Sequence, residues 1–237
     1  MATDVQTEPR TNGTAAANGN GRRGLRLRAP NVRVGVARLL HWSDQLVDRA
    51  VGFYDRLVSL DEGELTKIHQ NIAVDLAKDG KADRAIESLR RALALRPDNA
   101  EAWFHLGLVH LRVQASAEAL EALDRARELG VDAAELHYRR AEALADLDRH
   151  EEAVEALRAA AEKEADWPEL YYRLGVSLDH LKRYEEAVEA FERAIELDPR
   201  EVAYYQSLGF TMESMGRHEQ AVACFKRAVD LERRIGA

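Results

Sequence analysis

The chain has 237 residues, with 34 Lys and Arg against 42 Asp and Glu for a net charge of -8, and 46% of its residues are hydrophobic. An acidic balance argues against nucleic acid as the main partner, and no apolar stretch is long enough to cross a bilayer as a helix. The single cysteine, Cys224, leaves no intrachain disulfide and suits a reducing cytoplasm, which is the expected location.

Residues 1–30 are rich in Thr, Asn, Gly and Ala, with almost no large apolar residue before Leu25. Such a segment buries too little surface to offset its ordering entropy, so it is expected to be a disordered basic tail. Residues 1–58 hold nine Arg against five Asp and Glu, a balance of +4, which leaves -12 on the remainder. A basic arm of this kind can touch an anionic surface or the acidic body of a neighbouring copy. Arg22 and Arg23 resemble the start of a twin-arginine export signal, but Arg33 and Arg38 interrupt the apolar run such a signal needs.

Residues 31–65 read as an N-terminal helical segment and a possible degenerate repeat. Within it, residues 34–58 form one amphipathic pattern that places Leu39, Leu40, Leu46, Val47, Val51 and Tyr54 on a shared face. Ser59 with Glu62, or Asp61 with Glu64, can make a capping box that starts the next helix afresh.

From residue 66 the sequence repeats every 34 residues without insertion, in units 66–99, 100–133, 134–167, 168–201 and 202–235, with 236–237 left as the C-terminal end. Ala85, Ala119, Ala153, Ala187 and Ala221 occupy unit position 20, and each is followed seven residues later by Ala92, Ala126, Ala160, Ala194 or Ala228. Position 8 is small (Ala73, Gly107, Ala141, Gly175, Gly209), while position 24 is large (Leu89, Leu123, Leu157, Phe191, Phe225). Small residues let two helices approach closely, and the large one fills the wedge between hairpins. Apolar residues recur at helical spacing in both halves of each unit, so each unit predicts an antiparallel helix pair. Gly80 and Gly216 mark the turn inside a hairpin, and Pro97 and Pro199 stop the second helix. The third unit carries Arg140 at position 7 and Ala165 in place of a proline at position 32, so it is expected to pack most loosely.

The fifth unit coincides with the end of the chain. Val222, Phe225 and Val229 lie on the helix that would receive a further hairpin. An uncovered face at one end and an apolar stripe at the other is an arrangement for head-to-tail association. The expected self-association set is therefore Leu39, Leu40, Leu46, Val47, Val51 and Tyr54 with Val222, Phe225 and Val229. The alternative is that the N-terminal helix folds back on the first unit and the C-terminal face tolerates water.

The pattern offers little chemistry. His150-Glu151 and His218-Glu219 lack a second histidine at the spacing of a zinc-binding helix, and both histidines read as solvated turn residues. His110 stands at the core position 11 and reads as a satisfied buried histidine. Glu151-Glu152 and Glu185-Glu186 sit where a helix N-terminus favours negative charge, and Cys224 reads as a small packing residue. No catalytic, cofactor or metal site is expected, and the chain is not expected to be an enzyme.

The repeat resembles the tetratricopeptide (TPR) family over about 170 of the 237 residues. The fourth unit matches through Tyr171, Leu174, Gly175, Ala187, Phe191, Ala194 and Pro199, and the second through Trp103, Leu106, Gly107, Ala119 and Ala126. The resemblance implies an all-α, right-handed α-solenoid whose first helices line a concave groove. Carried over by position, the protein-binding groove comprises Phe104, His105, Leu108, Tyr138, Arg139, Glu142, Tyr172, Arg173 and Val176. Aromatic residues beside Arg139 and Arg173 suit a peptide with apolar anchors and an acidic group. The subclass that clamps chaperone C-termini does so with Lys and Asn at set groove positions; here position 2 is Glu101, Glu135 and Glu169 and position 9 carries no Asn, which argues against that role.

Within the family, the chain resembles the magnetosome-associated TPR proteins of magnetotactic bacteria. The residues that carry this are Arg173-Leu174-Gly175-Val176-Ser177-Leu178-Asp179-His180-Leu181, Met215 through Ala221, and Phe225-Lys226. The resemblance implies a cytoplasmic scaffold that self-assembles on an organelle membrane surface and recruits other proteins. The alternatives are a monomeric adaptor binding a peptide in its groove, and an accessory subunit of an enzyme complex.

Overall fold

The computed structural model describes residues 61–235, which belong to one compact unit and form ten α-helices. These are α1 (Glu62–Lys78), α2 (Ala82–Leu95), α3 (Ala100–Arg112), α4 (Ser116–Glu128), α5 (Ala134–Asp146), α6 (His150–Lys163), α7 (Pro168–His180), α8 (Tyr184–Leu197), α9 (Val202–Ser214) and α10 (His218–Ile235). The readings for residues 1–60, including the tail and the amphipathic pattern over 34–58, lie outside the described residues. Consecutive helices pair within each unit, and each second helix packs on the first helix of the next unit. Across units, first helices approach one another: α1 touches α3, α3 touches α5, and α7 touches α9. That brings the first helices to the inner side of the stack.

Helix α1 begins at Asp61, whose carboxylate accepts the Glu64 amide at 2.7 Å, so the second of the two expected caps is the one formed. All five hairpin turns close in the same way. The residue at position 15 takes a left-handed conformation: Gly80, Gln114, Asp148, Lys182 and Gly216 have φ of 76°, 58°, 58°, 59° and 73°. The following amide then reaches back to the carbonyl at position 11, as Lys81 does to Leu76, Ala115 to His110 and Arg149 to Leu144. These are Schellman closures, which satisfy carbonyls that the helix end leaves open. Glycine marks only two of the five turns in the sequence. At the others a side chain carries the left-handed strain because the turn is held from both sides.

The wedge at position 24 sets the spacing of each hairpin. Ala85, Leu89 and Ala92 are fully buried, and so are their counterparts Ala119, Leu123 and Ala126 in the second unit. Phe191 is 1% exposed and lies flat against Gly175: a Cβ there would sit 2.6 Å from the ring. Gly209 and Phe225 repeat this approach at 2.6 Å. Burying a side chain of this size contributes about 2–3 kcal/mol, and the contact exists only because position 8 has no side chain.

The third unit is not loosely packed, contrary to the expectation from Arg140. Leu136, Leu144, Ala153 and Leu157 are essentially inaccessible. Arg140 lays its stem along the core, and its Nε donates to the Asp124 carboxylate of α4 at 2.7 Å. A long side chain with its charge paired at the edge substitutes for an apolar one. At the loop that joins units, Trp103 Nε1 donates to the Pro97 carbonyl at 2.9 Å and the Tyr205 hydroxyl to the Pro199 carbonyl at 3.3 Å. In the second and fifth units the position-4 aromatic thus ties the first helix to the loop before it.

Two outcomes follow for stability. Gly175→Ala gains about 1 kcal/mol of helix propensity but forces the Phe191 ring out of place, at a cost of about 1–3 kcal/mol, so chemical denaturation should show net destabilisation. Gln114→Gly relieves a left-handed residue that costs about 1 kcal/mol or more, partly offset by chain entropy, and should raise the melting temperature slightly.

Candidate functional site

The groove residues named from the sequence lie on the first helices of three successive units, and they differ in access. Phe104, His105 and Leu108 on α3, Arg139 and Glu142 on α5, and Tyr172, Arg173 and Val176 on α7 are half-buried. Tyr138 is only 3% exposed. Its ring packs on Trp167, with centroids 4.3 Å apart, and its hydroxyl accepts from Arg173 Nε at 2.6 Å. Tyr138 therefore forms the floor of the groove instead of standing free as an anchor. Tyr172 lies at the wall, 5.1 Å from the Tyr204 ring of α9 and 6.0 Å from Phe191.

The two arginines are occupied. Arg139 Nε donates to Glu135 at 2.7 Å and its Nη1 to Glu142 at 2.9 Å. Arg173 meets Glu169 at 3.2 Å and Glu142 at 3.5 Å. Glu142 thus bridges both guanidiniums and two units, while those guanidiniums lie 5.1 and 5.3 Å from the Tyr138 ring centre. Burial alone would lower the pKa of each arginine. Glu135 and Glu142 outweigh it for Arg139, and Tyr138, Glu142 and Glu169 do so for Arg173, so both rise above the ordinary value. Burial pushes the Tyr138 hydroxyl upward, against the pull of Arg173.

The expectation of an acidic ligand group is not supported by this arrangement. Glu101, Glu135, Glu142 and Glu169 outnumber Arg139 and Arg173 on this surface, and an incoming carboxylate has to displace one that is already paired. His105 adds no charge near neutral pH: burial lowers its pKa despite Glu101 at 3.8 Å.

Two histidines differ from their sequence reading. His150 is not a solvated turn residue. Its side chain is 13% exposed, and its ring stacks on His180 of the next unit, 4.2 Å apart and inclined by 9°. Burial first, and then His180, lower its pKa. His110 is buried as expected but not satisfied: Nδ1 has no hydrogen-bond partner among the described residues. His218 behaves as expected, exposed and 2.9 Å from Glu213. Among the described residues no group of three or more His, Cys, Asp or Glu is placed to hold a metal, and no helix is long and apolar enough to cross a membrane.

On the other side of the stack, a shallow groove of about 440 Å³ runs between α8, α9 and α10, lined by Ile195, Tyr205, Leu208, Ala223, Cys224 and Arg227 among others. Ala223 stands where the other four units carry Glu87, Glu121, Glu155 and Glu189, which helps to open it. Burial, with Glu192 nearby, pushes the Cys224 thiol pKa up, as befits a packing residue and not a nucleophile.

Of the self-association set, Leu39, Leu40, Leu46, Val47, Val51 and Tyr54 lie outside the described residues. Val222 and Val229 are 49% and 43% exposed, and Phe225 is half-buried with its ring edge-on to Phe210 at 5.1 Å. Phe210, at the same repeat position 9 as the groove residues Leu108, Glu142 and Val176, is itself 65% exposed.

Comparison with known proteins gives one consistent answer. Tetratricopeptide-repeat family models match residues 114–169, 168–201 and 190–223, and a TPR-repeat model matches residues 75–114. A crystal structure of MamA protein is 30% identical, with a TM-score of 0.69 over 73% of this chain and 94% of that one. A second MamA crystal structure is 28% identical, with a TM-score of 0.67 over 70% and 96%. YrrB, a TPR protein with an unusual peptide-binding site, shares the fold at 24% identity and a TM-score of 0.66 over 70% and 85%. No curated protein matches the chain.

The unpartnered His110 generates a prediction. Units one, three and four place Leu76, Leu144 and Leu178 at this position. An unsatisfied buried polar group costs about 1–3 kcal/mol, so His110→Leu should stabilise the chain by about 1 kcal/mol. Burial lowers the His110 pKa below its ordinary value of 6.5, so the unfolded chain binds the extra proton first. Stability is then retained above pH 6.5 and lost as pH falls through that value, and His110→Leu should flatten this part of the melting-temperature profile.

Proposed function

Because the chain belongs to the tetratricopeptide-repeat family, we propose that it is a non-catalytic protein-interaction scaffold that joins copies of itself end to end and offers its first-helix groove to partner segments. The observation that carries this is a contrast within the repeat. At position 21, Leu120, Val154 and Val188 are 7%, 2% and 8% exposed because the next hairpin covers them, whereas Val222 is 49% exposed. Val229 and Phe210 extend the same open face. An apolar surface built to receive a hairpin is a natural seat for the amphipathic pattern at 34–58 of a second copy, through Leu39, Leu40, Leu46, Val47, Val51 and Tyr54.

The resemblance to MamA supports a narrower reading. The scaffold would work on the cytoplasmic face of a magnetosome membrane, held there peripherally through partners. The second reading is a monomeric adaptor, favoured by the half-buried aromatic row of Phe104 and Tyr172 in the groove.

Light scattering on the full chain across a wide concentration range separates the two. The scaffold predicts a mass above the 26.6 kDa monomer that returns to the monomer in the double variant Val222→Glu, Val229→Glu. A monomer at every concentration ends the self-assembly reading and leaves the adaptor. Failure of a fluorescently tagged copy to reach intracellular vesicles ends the organelle reading.

A further inference from the structure

We propose that the seam between the third and fourth units is a pH-sensitive hinge, held shut by the stacked rings of His150 and His180 and released when both rings carry a proton. The repeat shows what is special about this seam. Between units two and three, position 17 of one unit meets position 13 of the next as Ser116 and Asp146, a hydroxyl donating to a carboxylate at 2.8 Å. Between units three and four the same two positions are His150 and His180, stacked at 4.2 Å and inclined by 9°. At the first and fourth seams they are Ala82 with Arg112 and Tyr184 with Ser214. One seam of the four therefore pairs two groups that both titrate near neutral pH.

His150 is the covered member of the pair. Its side chain is 13% exposed, and its Nδ1 has no hydrogen-bond partner among the described residues. His180 is exposed. A neutral ring stacks favourably on a neutral or a charged one, whereas two imidazolium ions at this separation repel, the more so where burial weakens screening. An imidazolium also donates from both nitrogens, so charging His150 in place buries an N–H that nothing accepts. His180 meets water and can hold a charge there. A second charge, on His150, drives the rings apart.

The surrounding groups do not relieve this conflict. Burial first, and then His180 from α7, hold the His150 pKa below its ordinary 6.5, against the pull of Asp148 and Glu151. Asp148 lies 4.0 Å away, but its carboxylate is 98% exposed and screened by water. Asp146 at the end of α5 is engaged by Ser116, and Asp179 of α7 by the Thr211 hydroxyl at 2.7 Å. Arg183, in the turn after α7, is paired with Glu186. An open seam lets His150 bind its proton at the ordinary pKa, so closure is favoured above pH 6.5 and weakens as pH falls below it. Elsewhere the two units stay linked, because Arg158 of α6 donates to Glu186 of α8 at 2.7 Å. Arg183 and Arg158 hold the Glu186 pKa below its ordinary value, so this link outlasts the charging of the histidines. The units therefore swing about it without separating, and the swing moves Arg173 relative to Tyr138 and Glu142 on the groove floor.

Hydrogen–deuterium exchange of the full chain, read by mass spectrometry, tests this. It is run between about pH 7.5 and about pH 5, where histidines and not ordinary carboxylates titrate, and corrected for the intrinsic pH dependence of exchange. Amides at 147–154 and 178–183 should exchange severalfold faster at the acid end, with the turn at 212–217 of the fifth unit unchanged. The double variant His150→Ser, His180→Asp installs the pair found at the preceding seam and should abolish the acceleration. His110 also loses stability in acid, but it is present in both chains and drops out of their comparison. Acceleration that is absent from the parent chain, or equal at 212–217, overturns the proposal. Equal acceleration in the double variant overturns it too. Localisation is read on the parent chain alone, so that result stands even if the double variant folds poorly.

Discussion

The structure depends on a single contact seen in three of its five units: one large side chain from the second helix pressed against the glycine at position 8 of the first, as Leu123 on Gly107, Phe191 on Gly175 and Phe225 on Gly209. Phe191 on Gly175 shows it plainly, with no room for even a methyl group between ring and backbone. The contact fixes how near two helices come, and this distance determines how the next hairpin seats. Everything else in a unit adjusts around it, including the left-handed turn residue that lets the chain reverse within a few positions.

Sequence alone reveals the periodic part of the molecule because periodicity is a packing constraint written in residue size. Alanines at positions 20 and 27 had to be buried, and they are, as are the large residues at 24 in the first four units: Leu89, Leu123, Leu157 and Phe191. What the sequence hides are choices made between residues far apart in number. Arg140 looks like a flaw in a core position until Asp124, on the preceding hairpin, is seen to accept its guanidinium. His150 looks like a turn residue until His180 stacks on it from the following unit. In both cases the deciding partner lies in a neighbouring unit, and the repeat pattern does not say which side chains meet there.

The groove shows the same limit with a functional consequence. Reading Arg139 and Arg173 from their positions gives two free cations, whereas the structure shows two guanidiniums held by three glutamates around one tyrosine ring. Charge counted along a sequence is not charge available to a ligand. Once the internal pairs are subtracted, Arg139 and Arg173 offer an acidic partner no unpaired charge. In the fifth unit, Phe210 and Val222 are ordinary repeat residues by sequence, yet the structure leaves them 65% and 49% exposed.

Glu142 has a mechanical role beyond its charge. It grips Arg139 of its own helix and Arg173 of the next unit, so it acts as a strut across a joint between hairpins. Shortening or cutting that strut changes the pitch at which the superhelix coils, and small angular changes accumulate along an array. A guest that draws Glu142 away from Arg173 would therefore do more than occupy a site: it would bend the rod on which the neighbouring sites are mounted.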